Sequence, residues 1–239
     1  MVMKPFVDIQ GSGWNMTILS GVRGASNVVN AALVKGSVSS VLSHLTVLNN
    51  GIAGQAWATG YAGENISTGS DVAPDLDHVT VKVGGDATTS MGIYLKNVAD
   101  ARLERVWIEI DGNNHCRGFM AENSEYGGIV NRLHVHTTNN CDSAVGVFLR
   151  SVEINVLNSR IDATASGNLP TYGGCRKSLF PCTYEAPIPS RNRGMGARWI
   201  LLKRERVTRG IRLSRVSMRK NTRYRPVEEE KRATALLRL

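Results

Sequence analysis

The sequence predicts an all-β chain wound into a parallel β-solenoid with coils of ~25–27 residues. Three observations predict it. One pattern recurs along the chain: an apolar residue, two polar ones, an alternating run, a polar turn, then Gly and a second alternating run. The alternation has period two, where an amphipathic helix would place apolar residues at i, i+3, i+4 and i+7. The composition, with only 6% aromatic residues and 24 glycines in 239 residues, suits many short strands joined by tight turns.

Taken in order, the pattern opens at Leu42 (LSHLTVLN), Leu76 (LDHVTVKV), Leu103 (LERVWIEI), Val130 (VNRLHVHT) and Val156 (VLNSRIDA). A second run recurs as GIYLKN from Gly92, GFMAEN from Gly118 and GVFLRS from Gly146. The wider first interval, Leu42 to Leu76, predicts a loop insertion around GQAWATGYAGENISTG, which a solenoid tolerates because only its stacked strands need register. No single coil can bury its inward residues alone, so coils must stack at about one strand spacing, ~4.8 Å.

Alternation assigns the faces. Val79, Val81, Val83, Val106, Ile108, Ile110, Leu133, Val135, Thr137, Ser159, Ile161 and Ala163 point inward. Two outward columns follow, Thr46–Thr80–Trp107–His134–Arg160 and Leu48–Lys82–Glu109–His136–Asp162, with neighbours ~5 Å apart. Asn97, Asn123 and Ser151 close the second run at equivalent places and read as a polar ladder satisfying turn backbone.

The opening VDIQGSGWNMTILSG, through Ile9, Gly11, Gly13, Thr17, Ile18 and Gly21, joins the repeat in resembling the right-handed parallel β-helix proteins of the pectin-lyase-like superfamily. The resemblance covers about residues 5–167. It implies a right-handed parallel β-helix and a secreted or cell-surface setting. That superfamily holds pectate lyases, polygalacturonases, pectin methylesterases and repeat proteins without known activity, so the fold does not fix a reaction. Members usually carry a signal peptide and a cap on the first coil. MVMKPFVDIQ has no apolar export region and leads almost directly into a strand, so the chain is expected to be a fragment of a longer secreted parent.

The superfamily's catalytic runs are not matched. RVWIEIDGNNH is similar to the pectate lyase "WIDH" run at Trp107 and Ile108, but Glu109 and Ile110 stand where Asp and His should follow. The Asp pair, "HG" and "RIK" runs of polygalacturonases and the "QDTL" and "DFIFG" runs of methylesterases do not occur. The expectation is therefore a non-catalytic, extracellular-type solenoid. Its binding residues are Lys82, Trp107, Glu109, His134, His136, Arg160 and Asp162, and its partner is a polysaccharide whose apolar C–H face stacks on the indole. A solvated face lined with cross-strand pairs is the plainer account of the same stripe. A polyuronate lyase or glycosidase is the alternative.

No cofactor and no metal site is implied. The five histidines match no spaced zinc motif. His134 and His136 with Glu109 or Asp162 are the one metal set the columns offer, with two surface histidines as the simpler reading. The Asn- and Asp-rich turns at 111–114 and 139–142 are explained by turn chemistry. Cys116 and Cys141 fall nearly one coil apart, at turn positions. They would be bridged in a secreted parent and free in cytosol. Cys175 and Cys182 have no partner motif.

The charge divides the chain into residues 1–175, the β-helix, and residues 176–239, a basic tail. The first holds 11 Lys and Arg against 15 Asp and Glu, a net −4; the second holds 18 against 5, a net +13. In the tail the repeat stops, VTRGIRLSRVSM reads as one or two strands, and PVEEEKRATALLRL as a short terminal helix. A frame-disrupted continuation accounts best for it, then a solvated tail, then a nucleic-acid or polyanion module, for which Trp199 and Tyr224 are the only stacking residues. No apolar run is long enough to span a membrane as a helix.

Overall fold

The computed structural model describes residues 1–64, 74–124, 126–138, 140–152 and 154–165, together with the backbone of Tyr184–Glu185, Glu205–Val207 and Gly210–Arg212. They build a parallel β-solenoid of about five turns. The pattern anchors fall in one register: Leu42 pairs with Leu76, Leu76 with Leu103, Leu103 with Val130 and Val130 with Val156.

Each coil has three runs. The first is short: the starts of Val41–Asn49 and Asp75–Gly85, then Ala99–Glu104, Tyr126–Asn131 and Asn155–Leu157. The second holds the predicted columns, through Trp107–Gly112, His134–Thr137 and Arg160–Asp162. The third forms a separate sheet of Ala32–Lys35, Trp57–Glu64, Thr89–Lys96, His115–Ser124 and Ser143–Val152. Every inward residue named above is buried except Ala163, which is half-buried at the last described rung. Stacking these faces into one core supplies the burial that a single coil lacks.

Between the first and second runs the chain turns on one residue held in the left-handed region: His44 (φ 54), His78 (φ 52), Arg105 (φ 54), Arg132 (φ 57) and Asn158 (φ 48). None is glycine, so each coil carries a modest strain at this corner, repaid by the packing on both sides. Asn97 and Asn123 are also left-handed, at φ 53 and 52. Their residue type is therefore explained by backbone conformation, which Asn tolerates better than most residues. The Ser151 side chain lies outside the described residues.

Trp57–Glu64 is a core strand of the third run, not part of a loop; Tyr61 pairs with Ile93 and is fully buried. The extra length of the Leu42–Leu76 interval falls between paired positions instead: seven residues separate Asn49 from Trp57 against five between Val83 and Thr89, and ten separate Glu64 from Asp75 against five between Lys96 and Arg102. The alternation was hard to see there because Ala and Gly fill this strand. Val2 bridges Lys35, the amides of Met3 and Phe6 donate to the carbonyls of Lys35 and Val38, and Met3 is buried. Past residue 176, Tyr184–Glu185 runs parallel to Val156 and Leu157. Glu205–Val207 and Gly210–Arg212 form an antiparallel hairpin, in line with the strands expected in VTRGIRLSRVSM. The terminal helix expected at 226–239 lies outside the described residues, as do Cys175, Cys182, Trp199 and Tyr224.

Cys116 and Cys141 form a disulfide with Cα atoms 5.8 Å apart. Cys116 sits in the first rungs of a strand rather than in a turn, and both cysteines are buried.

Candidate functional site

Both outward columns are assembled as the alternation dictates. Thr46 pairs with Thr80, Thr80 with Trp107, Trp107 with His134 and His134 with Arg160. Beside them run Leu48, Lys82, Glu109, His136 and Asp162 in the same rungs. All seven predicted site residues therefore lie on one continuous face.

The columns are not uniformly exposed. Thr46 and Thr80 are buried, although their side chains point away from the core. Residues 12–17 leave the first coil between Ile9–Gln10 and Ile18–Gly21 and fold over this face. The Thr46 hydroxyl donates to the Trp14 carbonyl, and the Thr46 amide donates to the Thr17 carbonyl at 2.9 Å. The Trp14 ring then meets Trp107 edge-on, with centroids 6.5 Å apart at 71°. On the other side of Trp107, the His134 ring lies at 3.7 Å, tilted by 59°. Trp107 stays 37% exposed and Trp14 55%. Trp14 thus joins the candidate face, a residue missed in the sequence. Its signal was a Trp in GSGWNMT, a stretch without alternation and hence without a place in the core.

The charges of the stripe are mutually satisfied. Lys82 Nζ lies 2.8 Å from Glu109 Oε2. Arg160 Nε donates to Asp162 Oδ2 at 2.7 Å, and His134 Nε2 lies 3.5 Å from the same oxygen. Burial holds the His134 imidazole below its ordinary pKa; Arg160 and His136 add to this, and Asp162 opposes it. Its folded pKa therefore lies below its unfolded one. Its contribution to stability is complete above the unfolded value, near 6.5, and is lost as pH falls through the folded value. Urea midpoints should fall between pH 7.5 and pH 5, and His134→Gln should reduce that fall. An equal fall in the variant would show that His134 does not drive it.

A second group of titratable side chains gathers at the corner between the first and second runs. The His44 and His78 rings stack with centroids 4.8 Å apart and planes 15° apart. His78 Nδ1 is 2.8 Å from Asp77 Oδ1, and its Nε2 is 2.8 Å from Arg105 Nη1. His44 Nδ1 is buried and has no hydrogen-bond partner. Among the described residues, His44, Asp77 and His78 are the one set of three whose ligand atoms converge, all within 4.8 Å of one another. His134 and His136, for which two surface histidines are the simpler reading, are not part of such a set among the described residues. They alternate with Trp107, Glu109, Arg160 and Asp162 across three rungs.

The class these features define is a parallel β-solenoid with an aromatic and charged outer face. No protein-family model matches the chain, and no curated protein or solved structure matches it at a significant level.

Proposed function

We propose that the chain is a non-catalytic, polysaccharide-binding β-solenoid that uses the outer face around Trp107. The carrying observation is the exposed indole of Trp107, set between Trp14 and His134 and bordered by two ion pairs. An aromatic plane beside a fixed array of donors and acceptors suits a pyranose: the ring stacks on C–H groups, and the polar rim takes the hydroxyls. Rungs ~4.8 Å apart present such groups along the solenoid axis, which suits an extended sugar chain. Because Lys82 and Arg160 are each bound to a carboxylate, the face offers little uncompensated positive charge, which favours a neutral glycan over a polyuronate.

The rival reading is a carbohydrate-active enzyme of the pectin-lyase-like kind. Glu109 and Asp162 stand two rungs apart, roughly 10 Å on strand spacing, at or beyond the upper limit for paired glycosidase carboxylates. Both are also held in ion pairs. This geometry supports binding over turnover. The Cys116–Cys141 bridge supports an extracellular or cell-surface setting, since such bonds persist where the medium is oxidising.

Trp107→Ala tests the reading. Loss of one stacking partner should weaken retention on a neutral polysaccharide about five- to tenfold, on the scale of a ~1 kcal/mol aromatic contact. The melting temperature should fall by only a few degrees, because the indole is already 37% exposed and is flanked mainly by Trp14 and His134. Unchanged retention in a folded variant would make the stripe a solvated face. Release of reducing ends or unsaturated products by the native chain would favour the enzyme.

A further inference from the structure

We infer that His44, His78 and Asp77 form a binding site for a divalent transition-metal ion such as Zn²⁺. The site lies on the corner of the second and third coils, separate from the Trp107 face. It does not depend on that face binding a glycan.

His44 and His78 occupy the same place in successive coils, as the pairing of Leu45 with Val79 fixes. Both are locked in the left-handed conformation. This holds both side chains to one direction, one rung apart, and stacks the rings. Asp77 precedes His78 and reaches its Nδ1. The result is two imidazoles and a carboxylate, a donor set that suits Zn²⁺, Cu²⁺ or Ni²⁺ better than Ca²⁺ or Mg²⁺, which prefer oxygen.

The second observation is the buried His44 Nδ1 without a partner. An unmet polar atom in this position costs free energy, and coordination would remove that cost. Tetrahedral zinc with Zn–N bonds of about 2.0–2.1 Å needs donor atoms roughly 3.4 Å apart. The ligand atoms now lie within 4.8 Å of one another, so coordination would draw them closer by rotation about the side-chain bonds, with the corner in place. Arg105 now donates to His78 Nε2 and brings a positive charge to the cluster. It has another partner, Glu104 Oε1 at 3.8 Å from its Nε, and its exposed position leaves it free to swing there. Arg105 therefore opposes metal entry without blocking it.

The corner supplies its own conservative substitution. Asn158 holds the equivalent left-handed position in a later coil, so Asn at 44 or 78 removes the imidazole and keeps the backbone. Zn²⁺ binding to the full chain is measured by isothermal titration calorimetry at pH 7.5, with Ca²⁺ as the oxygen-preferring control and circular dichroism to confirm folding. One equivalent of Zn²⁺ should bind in the native chain. His44→Asn and His78→Asn should each weaken binding at least tenfold, and the double variant should abolish it. Arg105→Asn should tighten binding at least threefold, because a competing positive charge leaves the site. The inference is overturned if the native chain takes up no Zn²⁺ or binds Ca²⁺ as tightly. It is also overturned if the folded double variant binds as the native chain does, or if Arg105→Asn leaves the affinity unchanged or weaker.

Discussion

Gly118→Ala is expected to lower the melting temperature by roughly 6–12 °C, corresponding to about 3 kcal/mol for a chain of this size. Gly60, Gly92, Gly118 and Gly146 stand one per coil in the third run, in register through Tyr61–Ile93, Ile93–Phe119 and Phe119–Val147. Each faces a branched residue of the second run: Val81, Ile108, Val135 and Ile161 respectively. A Cβ on Gly118 would lie 2.2 Å from Val135 Cγ1 and 2.5 Å from the Gly146 carbonyl oxygen. The first clash is with a side chain. The second is with the backbone of the next coil, and it can be relieved only by separating two rungs. The glycine column thus sets how closely the second and third runs approach.

The two clashes can be separated. Val135→Ala on its own should destabilise through the cavity it leaves, by about 1 kcal/mol or more. Combined with Gly118→Ala it removes the side-chain clash and should do less damage than the sum of the two changes. It should not restore the native melt, because the Gly146 oxygen remains. Thermal unfolding followed by circular dichroism reads both effects. A Gly118→Ala chain melting within 2 °C of the native one would mean that the coils adjust freely, contrary to a tight ladder.

These particulars show why some of the molecule was legible from sequence. Period-two alternation fixes which side of a strand a residue faces, and equal coil lengths fix which residues meet, so Trp107 next to His134 and Lys82 next to Glu109 followed from counting. Features that break the period were not legible. The burial of Thr46 depends on residues 12–17, whose path obeys no repeat. Trp57–Glu64 hid because small residues blur alternation. The His44–His78 stack was present in the pattern, as its third position in two successive coils. Its chemistry emerged only once that position proved to be a one-residue left-handed corner rather than an ordinary strand position.

Removing the Cys116–Cys141 bridge should cost about 3 kcal/mol, again a fall of roughly 6–12 °C. The two cysteines are 25 residues apart, so the bond closes a loop of about one coil. It ties the coil that begins its third run at His115 to the one that begins at Ser143, through the rung pairing Cys116 with Ala144. A solenoid is held together by contacts between neighbouring coils, so a bond across one junction limits separation of everything beyond it. Both sulfurs are buried, and the double change to Ala is the suitable test; Ser would bury two hydroxyls and add a cost of its own. The native chain should melt lower in dithiothreitol than in air, and Cys116→Ala/Cys141→Ala should melt near the reduced native value in both. If the native chain melts alike in air and reductant after full reduction is confirmed by thiol counting, the junction is held by strand pairing and core packing alone. A bridge that contributes as expected makes the fold more stable in an oxidising medium than in a reducing one, which links the stability of the lower coils to the extracellular setting proposed for the Trp107 face.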